Sequence, residues 1–171
     1  MSYARGMETS ETPWLSSEER EAWLVLMSLF MRLPSALDTQ LQRDAGLSHF
    51  EYGILAGLSE SPERTLRMST LAVLAEGSLA RLSQAVGRLE KRGWIRRTTD
   101  PDDGRYTLAV LTDDGWDKVV ETAPGHVTEV RHLVFDQLTK AQIRQLRDIG
   151  RRVMRAVDPD DPCGADRPGP R

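Results

Sequence analysis

Cysteine is almost absent from this chain: Cys163 stands alone, which excludes an intrachain disulfide and any multi-cysteine metal site. It lies in a stretch rich in Pro, Gly and Asp, where a solvated thiol without a redox role is expected. Long apolar runs are missing too. No stretch approaches the ~18 residues that a membrane-spanning helix requires. Met1 to Pro13 lacks the apolar centre of a secretion signal, so the expected location is cytoplasmic, with no membrane partner. Enzyme hallmarks are equally scarce: there is no Gly-x-Ser-x-Gly elbow, no Gly-rich phosphate loop and no His-Glu-x-x-His pair. Of the three histidines, His49, His126 and His132, the last two lie six positions apart, off the facing spacing of a helix. Each is read as a partly exposed surface residue, and His49 as a capping-turn residue rather than a ligand contact. These absences predict a protein that is not an enzyme, with no cofactor and no bound metal.

What is present is a soluble, globular composition, 39% apolar and 29% charged, with an uneven distribution of charge. The net charge is −3, yet Arg64 to Arg105 holds nine basic residues against five acidic ones. The basic residues are Arg64, Arg67, Arg81, Arg88, Lys91, Arg92, Arg96, Arg97 and Arg105. A basic middle in an acidic chain suits a protein in which one module meets phosphates and the rest must avoid them.

Local signals divide the chain into a flexible leader (1–13), a folded domain (14–157) and a disordered tail (158–171). Ser16 with Glu19 is a capping-box signature. It opens a helix with Trp23, Leu26, Met27, Phe30, Leu33, Leu37 and Leu41 at helical spacing. Pro34 should kink that helix or split it. Ser48 with Glu51 opens a second helix, and Thr65 to Met68 reads as a short strand. Ser69 or Thr70 starts a short helix through Ala75. Ser78 is a favourable N-cap for a helix to about Arg92, stopped by Gly93. Trp94 to Thr99 and Tyr106 to Leu111 are strand-like, joined by a turn-rich tip at Asp100 to Arg105. Thr112 caps a further helix, broken or kinked at Pro124-Gly125, and Thr139 with Gln142 opens the last one. The fold class is therefore mainly α with a small β-hairpin.

Plotted at 100° per residue, the helix from Ser78 to Arg92 carries Leu79, Leu82, Val86 and Leu89 along one buried seam. Ala80, Arg81, Gln84, Arg88 and Lys91 lie opposite. Arg pairs bidentately with guanine and Gln with adenine in a major groove wide enough for a helix, and the short helix before it completes a helix-turn-helix. A polar face opposite a leucine seam also describes many solvated helices. The hairpin adds the discriminating feature. Arg105 stands two residues after Asp103, a spacing that lets the carboxylate orient the guanidinium, and a cation on a thin ribbon can enter a narrow minor groove. The alternative is a winged-helix protein-interaction module without DNA binding, whose mark would be the loss of these cations. Trp14, Trp23, Phe50, Tyr52 and Trp116 read as core or interface rather than as a ligand pocket.

From Leu66 to Gly115 the sequence resembles the MarR family of bacterial regulators. The matching residues are Leu71-Ala72, Arg88-Leu89-Glu90, Gly93-Trp94-Ile95-Arg96-Arg97, Asp103-Gly104-Arg105 and Leu111-Thr112-x-x-Gly115, and the outer helices extend the likeness over roughly Ser16 to Val157. The resemblance implies a winged helix-turn-helix DNA-binding lobe at about 48–111 and dimerisation helices at about 16–45 and 112–157. It implies that Arg105 reaches the minor groove with Asp103 holding the tip. Ser78, Ala80, Arg81, Gln84 and Arg88 belong by this likeness to the recognition helix, and Ser69 and Thr70 approach the DNA backbone. It further implies a homodimer on palindromic double-stranded DNA, acting as a repressor, with a small aromatic effector. Gly104 departs from the family's frequent basic residue at the tip. No cysteine stands in the first helix, which argues against sensing of oxidants by a thiol.

Overall fold

The computed structural model describes residues 12–158. The expected leader lies outside them but for its last two residues, as does the expected tail but for Asp158. Among the described residues no helix is long and apolar enough to cross a membrane. The chain divides into two compact units between Leu33 and Pro34, inside the first helix, α1 (Ser17–Ala45).

α1 opens at the expected capping box: the Ser16 amide donates to Glu19 Oε2 at 2.8 Å and the Glu19 amide to Ser16 Oγ at 3.2 Å. Two of the four amides left without partners at a helix start are thereby satisfied. Of the two outcomes expected at Pro34, a kink or a split, the split does not occur. A proline removes one backbone bond, and the turns on either side carry the helix through. In the first unit Trp23, Leu26 and Phe30 remain exposed.

The second unit holds the core. Leu37 and Leu41, in the last turns of α1, are buried, as is Leu47 beyond it. Next comes α2 (His49–Ser59), with the Ser48/Glu51 capping box formed and Tyr52, Ile54, Leu55 and Leu58 buried. A short strand β1 (Thr65–Arg67) runs directly into α3 (Met68–Leu74), and α4 (Leu79–Lys91) follows. Then come β2 (Ile95–Thr99) and β3 (Thr107–Leu111). The expected ribbon is more than a hairpin: β1 pairs antiparallel with the outer edge of β3, giving the order β1-β3-β2. Leu66 faces Ala109, and Arg97 faces Ala109 from the other side. A third strand gives the ribbon support that two strands lack in isolation.

Leu82, Ala85, Val86 and Leu89 of α4 are fully buried against this core. Each large apolar side chain so buried contributes roughly 1.5–3 kcal/mol. Leu79, expected in the same seam, is instead 55% exposed. Periodicity reports angle around a helix and not position along it, and Leu79 lies in the exposed first turn of α4. Ser69 and Thr70 do not start α3: that helix begins at Met68, with Arg67 as its N-cap residue.

α5 (Asp113–Leu133) passes unbroken through Pro124-Gly125, where a break or kink was expected, and α6 (Lys140–Val157) opens on the Thr139/Gln142 capping box. The root of α5 is tightly built. Thr112 Oγ1 donates to the Gly93 carbonyl at 2.6 Å and accepts from the Gly115 amide at 3.0 Å. The Thr112 amide donates to the Trp94 carbonyl at 3.1 Å. A Cβ on Gly115 would overlap that Trp94 oxygen and lie 2.7 Å from Leu111 Cδ1. Leu-Thr-x-x-Gly is thus a mechanical joint: the threonine ties the helix start to the entrance of β2, and only glycine lets the two backbones meet.

Candidate nucleic-acid interface

The helix-turn-helix is formed by α3, a four-residue connection (Ala75 to Ser78) and α4. Glu76, within the turn, adopts φ 49°, a left-handed conformation that L-residues adopt at a cost. It is fixed by bonds on both sides: the Glu76 amide donates to the Val73 carbonyl and the Gly77 amide to the Ala72 carbonyl. Gly77 then packs on Phe50, whose ring would stand 2.9 Å from a Cβ there.

α4 starts with Ser78 Oγ accepting the Arg81 amide at 3.2 Å. Ser78, Leu79, Ala80 and Arg81 are all exposed, so the whole leading turn projects from the body. This is the part of a recognition helix that meets base edges. The Arg81 guanidinium lies over the Phe50 ring, 4.1 Å from its centroid, a cation–π contact that restrains a flexible side chain. Gln84 is exposed on the same helix, and Ser69 and Thr70 are exposed at the start of α3.

Arg88 is placed differently. Its Nε donates to Glu51 Oε1 at 2.7 Å, and the Glu51 side chain is only 6% exposed. Burial pushes the Glu51 carboxyl up, but bonds from the Ser48 amide, Arg88 and the Ser48 hydroxyl outweigh it and hold the group below its ordinary value. Glu51 therefore completes the α2 cap and takes the charge of Arg88. Arg88 is first a brace between α2 and α4.

The wing carries the opposite arrangement. Arg105 donates Nε to Asp103 Oδ1 at 2.9 Å and Nη2 to Oδ2 at 2.7 Å, while its own amide donates to Oδ1 at 3.1 Å. The Arg105 side chain nonetheless remains 83% exposed. These bonds hold Asp103 below, and Arg105 above, their ordinary values. The carboxylate fixes the direction of the guanidinium and leaves its outer edge to solvent.

The basic middle of the chain is largely accounted for internally. Besides these two pairs, Arg64 bonds Asp113, Arg67 bonds Asp100, and Arg97 grips Glu90 with two side-chain bonds. Arg92 donates to the Gly46 carbonyl and lies over Trp94. Lys91 and Arg96 have no carboxylate within 4.0 Å among the described residues. A count of charges along the chain reveals the sign of the region but not which cations are available.

A concavity of about 890 Å³ lies beside the leading end of α4. Its walls include Asp38 from α1, His49 and Phe50 from α2, and Arg81, Gln84 and Arg88 from α4. Behind it His126 is half-buried, 4.7 Å from the Tyr52 ring and 6.0 Å from that of His49, with Nδ1 3.4 Å from Gln40 Oε1. Burial first, and His49 second, lower its basicity. The partly exposed position expected for His126 is found, and its ring also meets the buried side chains of Tyr52 and Gln40. Its spacing from His132 was the wrong comparison, because its neighbours come from α1 and α2. Trp14 and Trp23 are exposed, Tyr52 belongs to the core, and Trp116 packs against the core beneath the Arg64 guanidinium.

The geometry has close counterparts. Residues 45–105 match the sequence model of the MarR family. Sco3205, a MarR family transcriptional regulator from Streptomyces coelicolor solved in complex with DNA, is 47% identical. That likeness covers 88% of this chain and 94% of the other, with a TM-score of 0.83. AbsC, a MarR family regulator from the same organism, is 32% identical over 87% of this chain and 100% of its own, with a TM-score of 0.81. The transcriptional repressor MprA of Escherichia coli K12 is 24% identical over 138 residues, 79% of this chain and 78% of that protein. By its fold, by the Asp103-x-Arg105 wing with its Leu-Thr-x-x-Gly joint, and by these relatives, the chain belongs to the MarR family of winged helix-turn-helix, DNA-binding transcription regulators.

Proposed function

We propose that the protein is a ligand-responsive repressor that binds a palindromic promoter site as a homodimer. The reading is carried by one observation: a projecting leading turn of α4 and an exposed, carboxylate-oriented Arg105 belong to the same lobe. Ser78, Ala80, Arg81 and Gln84 read the major groove, Ser69 and Thr70 meet phosphates, and Arg105 enters the minor groove with Asp103 holding it. Arg88 supports this surface from behind and reaches DNA only as its pairing with Glu51 allows.

A second copy of the chain would cover the apolar residues that each unit leaves in solvent: Trp23 and Phe30 in the first unit, Ile149 and Val153 of α6 in the second. Twofold symmetry in the protein then calls for twofold symmetry in the site. The effector sits in the concavity beside α4. Phe50 offers it an aromatic face, and Arg81 and Arg88 favour an anion, so a small aromatic acid is the fitting class. Arg81 and Gln84 line this concavity and also belong to the reading surface, so an occupant and an operator compete for the same side chains.

Selection of duplexes from a random pool by the purified protein tests the reading. A palindrome is expected, and Arg105→Ala should weaken binding about tenfold on every duplex and reduce the slope of log affinity against log salt by about two, one for each protomer. Recovery of no preferred sequence would end the proposal. Benzoic and hydroxybenzoic acids should release the selected duplex; retention at saturating acid would remove the effector from it.

A further inference from the structure

We infer that Arg67 is a positioning residue for the wing, setting where Arg105 sits relative to the recognition helix. The inference rests on the proposed role of Arg105. Arg67 ends β1, paired opposite Leu108 of β3, and is also the N-cap residue of α3 at φ −63° and ψ 141°. Its backbone is therefore fixed by the sheet on one side and the helix on the other. Its side chain makes no cap bond and is committed elsewhere.

That commitment is to both shoulders of the wing tip. Arg67 Nε donates to Asp100 Oδ2 at 2.8 Å, and the guanidinium stacks 4.3 Å from the Tyr106 ring centroid. Asp100 and Tyr106 close the tip between them: the Asp100 amide donates to the Tyr106 carbonyl at 3.0 Å. The other oxygen of Asp100 accepts the Asp102 amide at 3.0 Å. The Asp100 side chain is 6% exposed, so the bond from Arg67 is made at a largely dry carboxylate. Arg105 lies on the same tyrosine, 6.0 Å from its centroid. A continuous line of contacts runs from the start of α3 through Asp100 and Tyr106 to the side chain at the tip. A ribbon pivots easily about its root, and a tip residue meets a groove only if that angle is held; Arg67 holds it.

A positioning role and a direct phosphate contact predict different results with a duplex selected by the wild-type protein. Arg67→Ala should weaken binding about tenfold in the wild-type background but less than about twofold when Arg105 is already alanine. The salt slope of the double variant should equal that of Arg105→Ala alone. Asp100→Asn removes a negative charge that would face a polyanion, so plain electrostatics calls for tighter binding. Positioning calls for binding several-fold weaker, because the amide keeps the Asp102 bond and loses Arg67. Thermal melts by circular dichroism establish that each variant is folded. If Arg67→Ala is not, Arg67→Lys, which keeps the charge without the stacked Nε bond, takes its place in the cycle. Additive losses, a further fall of about two in the salt slope, one for each protomer, or tighter binding by Asp100→Asn would each overturn the inference while leaving the wing reading intact. Unchanged binding by Arg105→Ala alone would remove both.

Discussion

Arg88 with Glu51 and Arg105 with Asp103 are both guanidinium–carboxylate pairs at 2.7 Å, set in opposite surroundings. Glu51 is almost dry, caps α2 and joins it to α4. Asp103 sits on a thin ribbon and turns a side chain that stays in water. Removing a partner from the first leaves a carboxylate or a guanidinium poorly satisfied between two helices. Removing one from the second leaves groups that water can serve at once. An arginine on the surface of a DNA-binding lobe is thus not one kind of thing: the burial of its partner decides whether it supports the fold or stands ready for a ligand.

The most severe disturbance of this division lies at the root that carries the exposed pair. Gly115→Ala forces a methyl into the Trp94 carbonyl and should lower stability by about 3 kcal/mol or more, read as a fall in the urea midpoint. A variant of unchanged midpoint would mean the joint is softer than its geometry.

Glu51→Gln comes next, at about 1–3 kcal/mol, reduced from a fully buried pair because Arg88 is half exposed. The same pair has a pH signature. The folded-state pKa of Glu51 lies below its ordinary value, so its contribution is complete above about pH 4.5 and is lost as pH falls through the folded value. Glu51→Gln should flatten the acid limb of a stability–pH curve. His126 adds an earlier step of the same direction. Its folded pKa is lowered, so below about pH 6.5 the unfolded chain takes up the proton first and stability falls. A step near pH 6.5 that survives His126→Gln would belong to another group. The smallest effect on folding is expected at the tip: Arg105→Ala and Asp103→Asn should leave the melting temperature unchanged, in contrast to their effect on DNA. A large fall in melting temperature from either would erase the contrast between the pairs.

The sequence was most informative where structure is local. Three capping boxes, at Ser16/Glu19, Ser48/Glu51 and Thr139/Gln142, are formed as their spacing required, since each involves groups within one helical turn. The α4 seam from Leu82 to Leu89 and the orientation of Arg105 by Asp103 were legible for the same reason. What escaped depends on distant neighbours. The partner of Arg88 lies 37 residues away and that of Arg67 lies 33 away, and His126 meets Gln40 across 86. Leu79 shows the complementary limit: its angle on the helix was right and its depth was not. For Arg67 the sequence offered only a place in the expected strand from Thr65 to Met68; the pairing of that strand with β3, which brings Arg67 to Asp100, was not legible there.

The joint at Thr112 and Gly115 has an evolutionary consequence. It fastens the ribbon by its base, through backbone atoms of Gly93 and Trp94, and asks nothing of the residues between Asp100 and Arg105. Exposed tip residues such as Asp102 and Gly104 can therefore change without loosening the body, while Asp100 stays tied to Arg67. A lineage can therefore adjust how strongly the ribbon meets a polyanion by editing a few exposed codons, while the hinge stays the same.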